Sequence, residues 1–279
     1  MIACQTNKKK PYDLPNSVHG SVLFDSGKVK TSNGICFSSD GKNLLISESI
    51  DQSFSSGKSM MGIRAYHFEN EKWTRGNLLD IAIDAYHPVL SYAGDTLYFN
   101  SRAHPDSLEY ETPHNIWFSI KEGDGWSSPV LHGVVNSLSY DSYPSVAKSG
   151  NLYFNSDREG GLGGMDVYVS ELKGGEYQMP VLLQQINSEY VENDLVIDPN
   201  EQFIIFNRYV FTTQSIDMYI SFRKNGHWSD AIPLTSINEP DQWELTPTLS
   251  PDGKYFFYEV NSQIWQIKVS DLFEELEGG

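Results

Sequence analysis

The chain has 279 residues, 20 of them basic and 37 acidic, for a net charge of −17 at pH 7. So negative a surface repels phosphate backbones and anionic headgroups, which sets nucleic acid aside as a partner. No run of 18 apolar residues occurs, so no membrane-spanning helix is expected, and the length suits one domain with a large core.

Residues 1–17 read as an N-terminal tether and 18–279 as the folded domain. Met1-Ile2-Ala3-Cys4 resembles the end of a bacterial lipobox, in which a small residue precedes the lipidated cysteine. The polar run from Gln5 to Pro11 resembles the spacer behind such a cysteine, although no charged n-region or apolar h-region stands before it. The resemblance implies a lipid anchor at Cys4 and a periplasmic or cell-envelope location, as an outer-membrane lipoprotein. Cys36 falls in an apolar run and reads as a small buried hydrophobe.

Ser21-Val22-Leu23-Phe24 is a strand-like run without a repeat of its own, and beyond it the chain repeats. Turn glycines at Gly41, Gly94, Gly150 and Gly253, with Glu201 in the remaining place, are 53, 56, 51 and 52 residues apart. Trp73, Trp126, Tyr177 and Trp228 mark an aromatic-led fourth strand at steps of 53, 51 and 51, and Asn136, Asn187 and Asn238 stand 51 apart. Ser39-Asp40-Gly41 and Pro251-Asp252-Gly253 have hairpin-turn chemistry, because Gly tolerates positive φ and Asp bonds its own backbone. The runs after the turns, such as Leu97-Tyr98-Phe99 and Phe203-Ile204-Ile205-Phe206, suit strands buried on both faces.

Independent landmarks that agree on one period near 50 residues, each unit holding four strand-like runs, predict propeller blades. Five units fit. The expected fold is therefore all-β: a five-bladed β-propeller of four-stranded antiparallel blades. The fifth unit supplies only three strands, around Leu245 to Ser250, Lys254 to Val260 and Gln263 to Val269. An open edge would leave backbone groups unpaired, so Ser21 to Phe24 is expected to close the last blade as its outer strand. Only Asp271 to Glu277 has helical character.

Unit three reads Tyr-Pro-Ser-Val, then Leu-Tyr-Phe-Asn-Ser-Asp-Arg, a Gly-rich loop and Asp-Val-Tyr-Val-Ser, and unit five reads Thr-Pro-Thr-Leu-Ser-Pro-Asp-Gly-Lys. These resemble the WD40-like propeller repeats named for a Pro-Asp dipeptide and best known from the periplasmic protein TolB. The pattern's Arg and Asp fall on Arg158 with Asp166 and on Arg208 with Asp217, while unit two keeps Arg102 but has Asn115 in place of Asp. The resemblance implies a bacterial envelope propeller with a binding or scaffolding role and no single reaction. Five units are fewer than TolB's six, so a TolB-like partner is not inherited.

Propeller sites form where loops converge on the central channel. The acids at the start of the innermost strands are Asp141, Glu192 and Glu244, with Asp194 two residues into its strand. His87 and Tyr143 hold the place of Asp194 in their units, and Thr246 holds it in the fifth. These are candidate binding residues at a channel mouth, for a cation such as calcium, for sugar hydroxyls or for a basic peptide. Their repetition from unit to unit favours caps on backbone amides at blade junctions over a ligand site. No other cofactor is called for, and no catalytic residue is assigned.

The leading function is a binding or scaffolding module for an envelope protein or glycan. The alternative is a carbohydrate-active, glycosidase-like enzyme with two of those carboxylates about 5–9.5 Å apart as acid and base. Tyr86, Tyr143 and Trp243 would then stack on sugar faces. No Gly-x-Ser-x-Gly or His-Glu-x-x-His motif occurs. Glu159 to Gly164 reads as a flexible connection with an Arg158–Asp166 ion pair across its base, since no helix follows to point at a phosphate. His132 and His227 read as surface residues.

Overall fold

The computed structural model describes residues 21–24, 33–69, 72–81, 84–104 and 107–278. The tether expected over residues 1–17, with Cys4, lies outside them. The described chain forms five antiparallel blade sheets, one per repeat, whose first three strands run outward from the axis in chain order, and a two-stranded sheet of Leu172–Lys173 with Glu176–Tyr177. The innermost strands are Ile35–Phe37, Tyr86–Leu90, Asp141–Val146, Val191–Ile197 and Leu245–Leu249. The second strands are Asn43–Ser53, Thr96–His104, Leu152–Ser156, Phe203–Val210 and Tyr255–Val260. Ser59–Glu69, Ser107–Glu122, Asp166–Ser170, Ser215–Lys224 and Gln263–Lys268 follow as third strands. The fold is a five-bladed β-propeller.

The hydrophobic core lies between blades, in five clusters for five interfaces. The second strands explain why. Phe203 and Ile205 join the cluster shared with blade five, while Ile204 and Phe206 on the opposite face join the one shared with blade three. Leu97 and Phe99 face blade one and Tyr98 faces blade three. Strand alternation thus gives each blade two apolar faces, and every fully buried side chain of this size contributes roughly 1.5–3 kcal/mol. The fifth cluster, with Ile35, Phe37, Leu44 and Ile46 against Tyr255 and Phe257, joins the first blade to the last.

The ring is also fastened by hydrogen bonds. Ser21–Phe24 pairs antiparallel with the third strand of blade five, Ser21 opposite Gln266 and Val22 opposite Trp265, and so supplies its missing outer strand. The turn residues take left-handed φ as their spacing requires, and Glu201 does so at 57° without being glycine. Its carboxylate is held in return by Asn151 and by the Tyr153 hydroxyl at 2.6 Å, a link from blade four to blade three.

Three expectations need correction. Only Trp73 lies in a true fourth strand, Lys72–Leu78. Trp126, Tyr177 and Trp228 sit instead in two-residue ribbons, and Val130–Leu131, Val181–Leu182 and Ile232–Pro233 form the outer strands. The aromatics mark the hairpin tip because they fold back over a blade edge, as Trp228 does against Tyr153. The helix runs Val269–Gly278, two residues earlier than expected, and Leu272 and Phe273 pin it to the cluster between blades four and five. His132 is buried among Tyr98, Phe118 and Tyr177, where burial lowers its pKa to about 4.

Candidate functional site at the channel axis

The equivalent places on the five innermost strands are Gly34, His87, Tyr143, Asp194 and Thr246, at the same steps of 53, 56, 51 and 52 as the turns. All five have left-handed backbone, with φ of 87°, 54°, 53°, 31° and 49°. In the last four blades the strand register shifts at this point. A bulge there re-aims one side chain, and four non-glycine residues held at positive φ mark a strained, specified ring.

Consecutive ring members touch. A Cβ on Gly34 would lie 2.7 Å from His87 Nδ1, so glycine is needed there for space as well as for φ. The His87 and Tyr143 rings meet edge to face at 4.8 Å. Tyr143 in turn lies beside Asp194, without a hydrogen bond of ordinary geometry between them. Asp194 Oδ2 accepts from Thr246 N and from Asn207 Nδ2, both at 3.1 Å. The axis is therefore plugged by its own side chains. Burial lowers the His87 pKa to about 4, leaving the ring neutral at pH 7, and burial raises Asp194 to about 6 against those hydrogen bonds.

The carboxylates expected to share one mouth are divided between tasks. Asp141 Oδ1 accepts from Arg158 Nη2 at 2.5 Å while its Oδ2 caps Ser137. Glu192 accepts from Arg208 Nε at 2.6 Å and caps Ser188. Both have the capping role, reinforced by an arginine from the next strand. Arg158 thus pairs with Asp141 and not with Asp166, which accepts from the Leu162 and Gly163 amides. The Gly-rich loop packs against blade four, where a Cβ on Gly163 would clash with the Tyr190 carbonyl.

Blade two carries the same pair as Asp84 and Arg102, joined at 2.9 Å. Asp84 escapes the sequence pattern because it stands three residues before its ring position, where Asp141 and Glu192 stand two before theirs. Also missed were the polar pins between blades. Ser47 and Asn100 accept from the His87 and Tyr143 amides, and Asn155 and Asn207 donate to the Glu192 and Glu244 carbonyls. The 51-residue asparagines have a different task. Asn136, Asn187 and Asn238 each hold both backbone groups of a third-strand residue, Ile116, Val167 and Met218.

Among the described residues no three His, Cys, Asp or Glu side chains converge as a metal site. Of the aromatics considered for sugar stacking, Tyr86 is buried and bonded to His114, Tyr143 belongs to the plug, and only Trp243 is exposed. At the turn end of the innermost strands the channel opens into a concave mouth of about 160 Å³, with His87 at its floor. All five blades line it, through Phe37, Leu90, Val146, Ile197 and Leu249.

No protein-family model and no curated protein sequence matches the chain. Solved structures do. A protein of Agrobacterium tumefaciens assigned to TolB superposes with a TM-score of 0.51 at 17% identity, over 82% of this chain and 69% of that one. TolB of Acinetobacter baumannii gives 0.51 at 10% identity, over 86% of this chain and 54% of its own length. A gluconolactonase of Xanthomonas campestris, XC5397, gives 0.52 at 10% identity over 88% of both chains. The likeness is one of fold: this chain and those structures are β-propellers. None of the described helices is long and apolar enough to cross a membrane.

Proposed function

We propose that the protein is a cell-envelope binding or scaffolding module that takes an extended protein segment at the open mouth of its channel. The observation that carries this reading is the mouth itself, an apolar concavity to which every innermost strand contributes. Such pockets accept one or two anchoring side chains and exclude water around them. The charge of −17 over the whole chain favours a partner with basic flanks. The glycosidase alternative has less support, because Asp141 and Glu192 are each held by an arginine and a cap.

Val146 and Tyr92 both line the mouth, and arrays of random peptides and of glycans, probed with the native chain, Val146→Asp and Tyr92→Ala, test the reading. Peptide binding that weakens about tenfold or more in both variants is expected. Glycan-only binding, or peptide binding untouched by both substitutions, overturns it. Turnover of aryl glycosides or lactones that is lost in Asp194→Asn replaces it with the enzymatic alternative.

A further inference from the structure

Blade five keeps every part of an arginine cradle except the arginine. In blade four the Arg208 guanidinium carbon lies 5.7 Å from the Phe206 ring centre and 4.4 Å from that of Tyr219. Its Nε donates to Glu192 at 2.6 Å and its Nη2 to the Ile186 carbonyl at 2.9 Å. Blade three repeats this with Arg158 at 5.0 and 4.9 Å from Phe154 and Tyr168, donating to Asp141 and, at 2.7 Å, to the Val135 carbonyl. Carboxylate, carbonyl and two aromatic faces thus form a guanidinium socket.

The same parts recur one repeat further on. Ile237 follows Ile186 by 51 residues, and Glu244 and Tyr258 follow Glu192 and Phe206 by 52. Trp265 pairs with Tyr258 as Tyr219 pairs with Phe206. Glu192 lies opposite Arg208 in the ladder, and the register of Leu245 with Glu259 puts Val260 opposite Glu244. Where valine replaces arginine a cavity of about 260 Å³ remains, lined by Ile237, Glu239, Glu244, Tyr258, Val260 and Trp265. Glu244 is 0% exposed, yet among the described residues its Oε2 has no hydrogen-bond partner, and neither has Trp265 Nε1. Glu239 stands where the earlier blades have Ser137 and Ser188, which adds a second acid at the rim. A buried carboxylate without a countercharge is destabilising, and here burial first, with Asp217 and Glu239 behind it, raises the Glu244 pKa to about 7.

We propose that this cavity is a receptor for a guanidinium group from outside the chain, seated between Tyr258 and Trp265 and paired with Glu244. The planar fork and the aromatic walls select guanidinium over ammonium, as they do for Arg158 and Arg208. The site is separate from the channel mouth and stands whether or not the mouth binds peptide. The group can come from a partner's arginine or from a small guanidinium compound.

Calorimetric titration at pH 8 tests the proposal, with agmatine, an acetyl-Gly-Arg-Gly amide peptide and butylamine as probes. The native chain, Glu244→Gln and Val260→Arg are compared. Agmatine or the peptide is expected to saturate the native chain, with butylamine at least tenfold weaker. Binding should fall at least tenfold in Glu244→Gln. It should vanish in Val260→Arg, whose own guanidinium fills the socket and raises the melting temperature. A peptide that binds tenfold more tightly than agmatine identifies a partner's arginine as the occupant, whereas equal or weaker peptide binding identifies the small compound. No saturation of the native chain up to about 10 mM of either guanidinium probe overturns the proposal. So does binding that persists in Glu244→Gln, which decides the matter even if Val260→Arg does not fold.

Discussion

Blades four and five share a frame and differ in what completes it. In blade four the inner-strand acid is satisfied by an arginine of the same blade, and the outer strand follows in sequence. In blade five the acid faces valine, and the outer strand comes from the opposite end of the described chain. One blade is therefore self-contained and the other depends on parts from elsewhere, a distant strand for its edge and, on our proposal, a ligand for its buried charge. A repeat that loses one member of a buried pair loses stability and gains a binding opportunity in the same substitution.

The comparison can be broken most severely at Arg208. Arg208→Ala leaves Glu192 buried and unpaired, which should cost about 3–5 kcal/mol in urea denaturation. A loss below about 1 kcal/mol would mean that the pair of blade four does not matter as described. The edge of blade five comes next. Removing residues 1–17 should leave the melting temperature unchanged, whereas removal through Asp25 takes away the pairing with Gln263–Lys268. That loss of about 3 kcal/mol should lower the melting temperature by about 6–10 °C, and equal melting temperatures for the two truncations would show closure by other means.

Glu244 should respond in the opposite sense to Arg208. Its native pKa of about 7 lies above the ordinary 4.5, so between those pH values the native state holds a proton that the unfolded chain has released. Stability from this group is present below about pH 4.5 and is lost as pH rises through about 7. Glu244→Gln should therefore stabilise the protein at pH 8 by about 2–3 kcal/mol, with the gain fading towards pH 4. A variant that is destabilised at pH 8 contradicts the unpaired charge. The smallest effect belongs to the ring, where Gly34→Ala combines φ of 87° with a Cβ 2.7 Å from His87. It should cost about 1–3 kcal/mol by thermal unfolding, and no loss would show that His87 is free to move aside.

The period, the turns and the closing strand were legible because their causes are local. Gly41, Gly94, Gly150 and Gly253 recur where the backbone must turn left-handed, and the apolar runs behind them alternate over two buried faces. The offset of the five turns even locates the axial ring seven residues earlier, as Gly34, His87, Tyr143, Asp194 and Thr246. Pairing across strands was not legible. Arg158 turns to Asp141 behind it instead of Asp166 ahead, and Asp84 enters the pattern one residue out of step. Those choices depend on which strands lie side by side and where each bulge falls. The five-fold repeat of strands follows from the order of residues alone, since periodicity and turn chemistry act within a few residues. That Asp141 and Glu192 are paired with arginine while Glu244 is not follows from packing, because a buried charge is set by neighbours brought together from 16 or 17 residues away, and in blade five by the one that is missing.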